Sequence, residues 1–231
     1  MIHAAIALLL AAPGDASVYF EQTTTIPAGD DEGRGPGVAS RVWYDGRRMR
    51  LEAGGPPGGH ALILRLDLGR AYRLDPSTRT ATEIDLDRLR ARSQEDASTA
   101  ADLMGVADEA SVRVARLLGR TIAGQACEGY RLSTGTTVMD VYLAAGLPVG
   151  IEAFTDFLEW SGAAASMTGI LAELRKLRGF PMETRSRVTI LDEVHETVST
   201  ITKVKVGPHP AGLFEPPAGY EVRREAAEPL P

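Results

Sequence analysis

The sequence is poor in the side chains that most often bind metals or act as nucleophiles. Its 231 residues include one cysteine, Cys127, and four histidines, His3, His60, His195 and His209. A single thiol excludes an internal disulfide and any metal site built from several cysteines. The sequence contains no nucleophile elbow, phosphate-binding loop, zincin helix or dinucleotide fingerprint. We therefore predict a protein that is not an enzyme, with no catalytic residue, no cofactor and no metal.

Two acidic segments are the weak exceptions to that prediction. Asp192, Glu193 and Glu196 surround His195, and Asp30, Asp31 and Glu32 are consecutive. Either group offers oxygen ligands for a divalent cation. Ligands of closed metal sites are usually spaced so that they converge. We interpret both segments as solvated loops.

Basic charge is also scarce. The chain has 25 lysines and arginines against 31 aspartates and glutamates, which gives a formal net charge of −6. This balance leaves no dense basic patch, so nucleic acid is not an expected partner. Hydrophobic residues make up 44% of the chain, enough for the core of one globular domain.

Long apolar runs are absent as well, and the run near the start is too short to cross a membrane. Ala4 to Ala12 matches the hydrophobic part of a signal peptide, and Ala12 and Ala16 are alternative cleavage points. No lysine or arginine precedes the run, which leaves open a start further upstream or an N-terminal structural segment. We expect residues 1–16 to be a signal peptide. The mature protein is then periplasmic or secreted, and soluble with no transmembrane segment.

Most of the remaining sequence predicts antiparallel strands joined by short turns. Asp45-Gly46 between two alternating segments is a strong hairpin signal, because glycine tolerates the positive φ of such turns. Runs rich in β-branched and aromatic residues between turn signals give the other strands. The predicted strands are Ser17–Thr25, Val38–Tyr44, Arg47–Ala53, Ala61–Asp67, Arg70–Asp75, Arg79–Leu86, Ser111–Leu118, Ala126–Ser133, Thr136–Leu143, Phe180–Leu191 and Glu196–Val206.

Helical spacing of apolar residues occurs in two places. It is patchy over Asp87–Met104 and strong over Ile151–Arg178, which ends at Gly179 as expected for a helix stop. The C-terminal region is rich in proline and carries two isolated aromatic residues, Phe214 and Tyr220, which we expect to pack on the body. We predict one domain over residues 17–222 and a flexible tail over residues 223–231.

This order of elements resembles the bacterial lipoprotein-carrier fold. Val42–Glu52 and Leu66–Pro76 are similar to hairpins of that fold, while Gly119–Tyr130 and Leu213–Tyr220 are similar to segments of the exported family called domain of unknown function 4412. The resemblance implies an α+β protein in which a strongly curved antiparallel sheet, an incomplete β-barrel, is covered by helices. By analogy of fold, it also implies an apolar cavity in the bacterial envelope, and it implies no catalytic residues.

Two functions remain open at this point. The first is a non-catalytic extracytoplasmic protein that binds a lipid, an acyl chain or another apolar ligand between sheet and helices. The alternative is an envelope structural or protein-interaction module without a small ligand, which would hold an envelope protein by its sheet edge or tail. The residues predicted to line the apolar cavity are Trp43, Met49, Leu51, Leu62, Leu64, Tyr72, Leu74, Phe154, Phe157, Trp160, Met167 and Leu171.

Overall fold

The computed structural model consists of twelve strands and three helices in its described part. It describes residues 17–26, 37–54, 60–92, 95, 111–160, 167–190 and 193–225, apart from the side chains of Trp160 and Ile190. The strands are β1 (Val18–Thr25), β2 (Val38–Tyr44), β3 (Arg48–Ala53), β4 (His60–Arg65), β5 (Arg70–Asp75), β6 (Thr80–Asp85), β7 (Arg113–Ile122), β8 (Gln125–Ser133), β9 (Thr137–Ala144), β10 (Phe180–Ile190), β11 (Glu193–Val206) and β12 (Glu221–Arg224). The helices are α1 (residues 86–92), α2 (Ile151–Trp160) and α3 (Thr168–Leu174).

All twelve strands belong to one sheet. Their order is β12-β6-β5-β4-β3-β2-β1-β11-β10-β9-β8-β7, so β12 and β7 end the sheet and it is not closed. Every pairing is antiparallel except that of β12 with β6, which is parallel. The prediction of an antiparallel sheet is thus corrected at this one pairing. Helices cover the sheet only in part, since α2 packs mainly on β10 and α3 on β8.

The β2–β3 hairpin forms around Asp45-Gly46, as the turn residues predict. Gly46 has φ 87°, and the backbone N–H of Asp45 donates to the carbonyl of Arg48 at 3.1 Å. The Asp45 carboxylate accepts the backbone N–H of Arg48 at 3.1 Å. The turn therefore sets the register that pairs Tyr44 with Met49 and Val42 with Leu51.

Strand β7 is longer than the sequence predicts. We expected it to end at Leu118, with a turn over 119–124, but it continues to Ile122 and turns at Ala123-Gly124. A bulge between Leu117 and Arg120 absorbs the extra residues. Gly119 lies in this bulge, where a Cβ would come within 2.7 Å of the Cys127 carbonyl oxygen.

One further predicted element changes, and two lie partly outside the described residues. The long helix predicted over Ile151–Arg178 is two helices, α2 and α3, and residues 161–166 between them lie outside the described part. Beyond α1, most of the helix predicted over Asp87–Met104 also lies outside it. Of the flexible tail predicted over residues 223–231, Arg223 and Arg224 lie in β12, where Arg224 pairs with Glu83, and residues 226–231 lie outside the described part. Residues 1–16 and 226–231 are not described.

The buried apolar side chains form three clusters. The main cluster includes residues of β1 to β5, α2, β9 and β10. The second cluster includes residues of β8, β9, α2 and α3. The third cluster lies on the opposite face of β4 to β6 from the main cluster, because strand neighbours such as Ile63 and Leu64 point to opposite sides. It is covered by the C-terminal segment, residues 207–220, through Phe214.

Gly179 is the position where the backbone most strictly requires glycine. It has φ 114°, and a Cβ there would lie 2.9 Å from the Ala144 carbonyl oxygen. We expect Gly179→Ala to lower the free energy of unfolding by about 2–3 kcal/mol, since a strained backbone costs of the order of 1–3 kcal/mol and the new methyl also meets backbone. Urea unfolding measures this effect. Gly146→Ala is the matched control, because a Cβ at Gly146 would meet none of the described residues within 4 Å; an equal loss in both variants would contradict the argument.

Candidate functional site

The residues predicted to line a cavity fall into all three clusters. Met49, Leu51, Leu62, Leu64 and Phe157 belong to or pack against the main cluster. Phe154, Met167 and Leu171 belong to or pack against the second cluster, while Trp43, Tyr72 and Leu74 are in or against the third. Trp160 ends α2, and its side chain lies outside the described part. The structure therefore does not bring the twelve residues together at one site.

Trp43, Tyr72 and Leu74 point away from the helices, contrary to the prediction. Tyr72 and Leu74 alternate with Ala71 along β5, and Ala71 is the one that joins the main cluster. Both faces of these strands are apolar, so the usual alternation of apolar and polar residues does not identify the inner face. The C-terminal segment supplies the cover that makes the second apolar face possible.

A set of partly exposed apolar side chains borders the main cluster. This apolar surface consists of Leu51, Leu62, Ile84, Leu89 and Phe157, which come from β3, β4, β6, α1 and α2 respectively. Leu51 and Leu62 are directly paired across β3 and β4, and Ile84 is paired with Ala71 across β5 and β6. Their neighbours in the cluster are fully packed: Leu64 is 5% exposed and Ala71 is 2% exposed. In the described part, the side chains beneath the apolar surface are therefore fully packed, whereas those of the surface itself are partly exposed.

Helix α2 connects the main and second clusters. Ala153 and Phe157, one turn apart, contact the main cluster, while Ile151, Phe154 and Leu158 contact the second. Apolar side chains thus occupy much of the helix circumference, as expected for a helix held between two packed layers. Phe157 therefore packs on the same cluster as the sheet side chains of the apolar surface.

Two titratable groups lie where α2 meets the sheet. The Tyr44 hydroxyl donates to the Gly46 carbonyl at 2.8 Å, and burial, followed by the nearby carboxylates of Asp156 and Glu152, raises the pKa of Tyr44 to about 12. Burial also raises the pKa of Asp156, and the charge of Glu159 adds to that rise. Arg175 acts in the opposite direction. The half-buried Asp156 carboxylate therefore carries an unfavourable charge at neutral pH.

That charge gives a pH-dependent prediction for Asp156→Asn. A carboxyl whose pKa is raised in the folded state destabilises that state when ionised, and this penalty disappears as the pH falls through the folded pKa. We expect the variant to have a Tm about 2 °C above the parent at pH 7, a small effect because solvent screens a half-exposed group. The gain should shrink towards zero at pH 4. Differential scanning fluorimetry at both pH values measures it, and an equal gain at both would contradict the assignment.

A concave pocket, the second candidate site, lies beneath the C-terminal segment and was not predicted. It is a cavity of about 270 Å³ between the start of β1, the β2–β3 turn and the C-terminal segment. The Arg48 guanidinium lies 5.0 Å from the centre of the Phe214 ring and pairs with Asp45, and His209 Nε2 lies 3.1 Å from the Tyr44 carbonyl oxygen. The lining residues are Ser17, Asp45, Arg48, Pro208, His209, Pro210, Ala211, Gly212, Phe214 and Glu215.

The charges around this second site neutralise one another. Arg65 is only 8% exposed, and its guanidinium donates to both oxygens of Asp67 and to the Glu215 carboxylate. The hydrogen bonds from Arg65 hold the pKa of Asp67 below its usual range. Because each formal charge here has an opposite partner within the fold, we assign these groups to holding the C-terminal segment rather than to a ligand.

The structure also locates the residues considered for chemistry. Cys127 is 6% exposed, its thiol lies 3.3 Å from the Gln125 carbonyl, and burial raises its pKa, so it is poorly suited to act as a nucleophile. His195 lies 3.9 Å from Glu193 at the β10–β11 hairpin, and Asp192 is outside the described part, as are Asp30 to Glu32. Among the described residues no group of three or more His, Cys, Asp or Glu side chains is arranged to hold a metal ion.

The helices in the described ranges are also too short or too polar to cross a lipid bilayer.

The molecule that these observations define is an α+β protein built on one open twelve-stranded sheet, with an apolar surface between sheet and helices. Its residues 43–220 match the family model called domain of unknown function, DUF4412, and the chain belongs to that family. This confirms the resemblance found in the sequence.

Solved structures match this chain at low identity and with TM-scores below 0.5. An uncharacterised conserved protein from Thermus thermophilus is 10% identical, with a TM-score of 0.48 over 92% of this chain and 93% of that one. MucB in the Pseudomonas aeruginosa MucA/MucB complex is 9% identical, with a TM-score of 0.41 over 86% of this chain and 54% of that one. An outer membrane lipoprotein-sorting protein domain from Vibrio parahaemolyticus, itself a provisional assignment, is 10% identical with a TM-score of 0.31 over 88% of each chain. A comparison with curated proteins finds no match.

Proposed function

We propose that this protein is a non-catalytic binding protein that acts outside the cytoplasm and holds an apolar ligand, such as a lipid or acyl chain. The apolar surface is the observation that carries the proposal. Leu51, Leu62 and Ile84 project from the sheet beside a fully packed cluster but are themselves only partly buried. Phe157 and Leu89 face the same cluster from the helices. The signal-like residues 1–16 support export, and residues 17–222 then form the mature domain.

An acyl chain is apolar, as the side chains of the apolar surface are. Apolar ligand sites are concave, mostly lined by apolar and aromatic side chains, and often include methionine because it adapts to different shapes. Met49 and Met182 lie in the main cluster beneath the surface. Each methylene of a ligand that is buried there contributes about 0.8 kcal/mol, so about ten buried methylenes supply about 8 kcal/mol before the entropic cost of association is subtracted.

The first experiment is extraction of the protein with organic solvent and mass spectrometry of the extract. The protein should be purified gently from a bacterial host that exports it. We expect lipid or fatty acid in near-stoichiometric amount, and a rise in Tm when oleate is added to delipidated protein, because a ligand that binds only the folded state stabilises it. A clean extract together with no Tm change on addition of oleate or dioleoylphosphatidylglycerol would overturn the proposal.

A further inference from the structure

We infer that β7 is a docking edge for an extended acidic segment of another protein, which adds to the sheet as a further strand. Among the described residues, β7 ends the sheet and pairs on one side only, with β8. Such an edge strand presents a row of backbone N–H and C=O groups that lack sheet partners. With ten residues, β7 offers about 33 Å of this edge. The other end of the sheet is the four-residue β12, which is much shorter.

Side chains on β7 provide apolar contacts at this edge. Val114 is 44% exposed and Leu118 is 92% exposed, the largest exposed fraction among the large hydrophobic side chains of the described residues. Strand addition derives affinity from backbone hydrogen bonds and selectivity from side chains that contact the new strand. Apolar residues of an added strand would therefore be partners for Val114 and Leu118.

The charges on β7 specify an acidic partner. The strand contains Arg113, Arg116 and Arg120 and no acidic residue. Arg120 is paired with Glu183 of β10, so Arg113 and Arg116 are the charges offered to a partner. The Arg116 side chain is 78% exposed, lies 3.7 Å from Glu128 and stacks over the Tyr130 ring at 5.7 Å, so it is positioned but still accessible. Opposite charges on neighbouring strands stabilise the pairing and like charges oppose it. Carboxylates on an incoming strand thus complement this edge.

The same features argue against a second copy of this chain as the occupant. Pairing of two β7 strands would place three arginines from each copy on neighbouring strands with no β7 carboxylate between them. The bulge between Leu117 and Arg120 interrupts a regular ladder for any added strand, so the arginines are what distinguish a second copy from an acidic segment. Charges and bulges are the usual protection of edge strands against self-association. An acidic foreign strand removes the charge repulsion, whereas a second copy adds to it.

The test uses synthetic peptides of ten residues and the full-length protein. The first peptide alternates glutamate and valine, the second replaces each glutamate by lysine, and the third is the glutamate peptide with alternate backbone nitrogens methylated. We expect the first to bind, with an affinity that falls as salt is raised, and to slow hydrogen exchange of the β7 amides. The second and third should bind at least about tenfold more weakly, because they lose the charge pairs or the backbone hydrogen bonds.

Charge-reversal variants distinguish binding at β7 from an effect of the overall net charge. Arg113→Glu with Arg116→Glu should weaken binding of the glutamate peptide by about tenfold or more. Arg73→Glu with Arg88→Glu makes the same change in net charge elsewhere and should leave binding unchanged. Equal losses in both double variants, equal binding of the methylated peptide, exchange protection outside β7, or a β7-dependent dimer would each overturn the proposal. These readouts do not depend on whether the apolar surface holds a lipid.

Discussion

Replacing Phe214 with alanine is expected to lower the free energy of unfolding by about 3–5 kcal/mol, the usual cost of deleting a buried phenylalanine ring. Phe214 is 4% exposed and fills the third cluster together with Ile63, Tyr72 and Leu74. The Arg48 guanidinium covers one side of its ring, and the His209 ring meets it edge-on at a centroid distance of 5.6 Å. One side chain therefore joins the C-terminal segment to the sheet.

Urea unfolding measures the loss, and hydrogen exchange locates it. In the Phe214→Ala protein we expect faster exchange at the Glu221 and Glu225 amides, which donate to the Arg79 and Glu83 carbonyls and attach β12 to β6. Phe214→Leu should retain most of the stability, because it keeps apolar volume at the same place. A loss below about 1 kcal/mol for the alanine variant would mean that the segment is held mainly by polar contacts.

Replacing Leu62 with glutamate is expected to abolish uptake of an apolar ligand. Leu62 belongs to the apolar surface and is paired with Leu51 on β3 and with Arg73 on β5. A carboxylate there would have to lose water when a lipid binds, which costs about 3 kcal/mol or more and weakens binding by about 100-fold or more. Lipid content after gentle purification and the Tm shift with added oleate are the two measurements.

The matched control for Leu62→Glu is Leu68→Glu. Leu68 lies in the turn between β4 and β5 and is 51% exposed, so the same substitution adds the same charge away from the apolar surface. It should leave lipid content unchanged. Because Leu62 is partly buried, circular dichroism and the Tm of the unliganded protein must show that the variant folds. A folded Leu62→Glu protein with normal lipid content would show that the ligand lies elsewhere.

The strand pattern was predictable from sequence because local turn chemistry determines it. Asp45-Gly46 placed β2 and β3 to within a residue of their bounds, and Asp75 at the β5–β6 turn behaves similarly. Its carboxylate accepts the Ser77 backbone N–H at 2.8 Å, and hydrogen bonds from Ser77 and Thr78 lower its pKa to about 2. Side chains that hydrogen-bond to the backbone of their own turn favour that turn whatever surrounds it, so such turns can be predicted from the sequence.

Strand facing and long-range pairing were not predictable by the same means. On β4, Ile63 is 0% and Leu64 is 5% exposed although they point to opposite faces, so hydrophobicity alone does not separate the faces. Ile63 is buried because the C-terminal segment covers its face of the sheet. That segment lies 150 residues further along the chain, as the Arg65–Glu215 contact shows. The parallel pairing of β12 is only four residues long, too short to leave a periodic pattern.

The place of β1 in the sheet has a consequence for how the chain folds. β1 pairs with β11, and the hydrogen bond between the hydroxyls of Thr24 and Ser199 spans 175 residues. The meander of β2 to β6 needs only local contacts and can form early, whereas closing this distant pairing is slow. Until β11 has emerged, β1 has a free edge on that side. A chain synthesised from its N-terminus therefore completes its sheet only after β11 and β12 have been synthesised, and helper proteins that shield nascent strands would act during that interval.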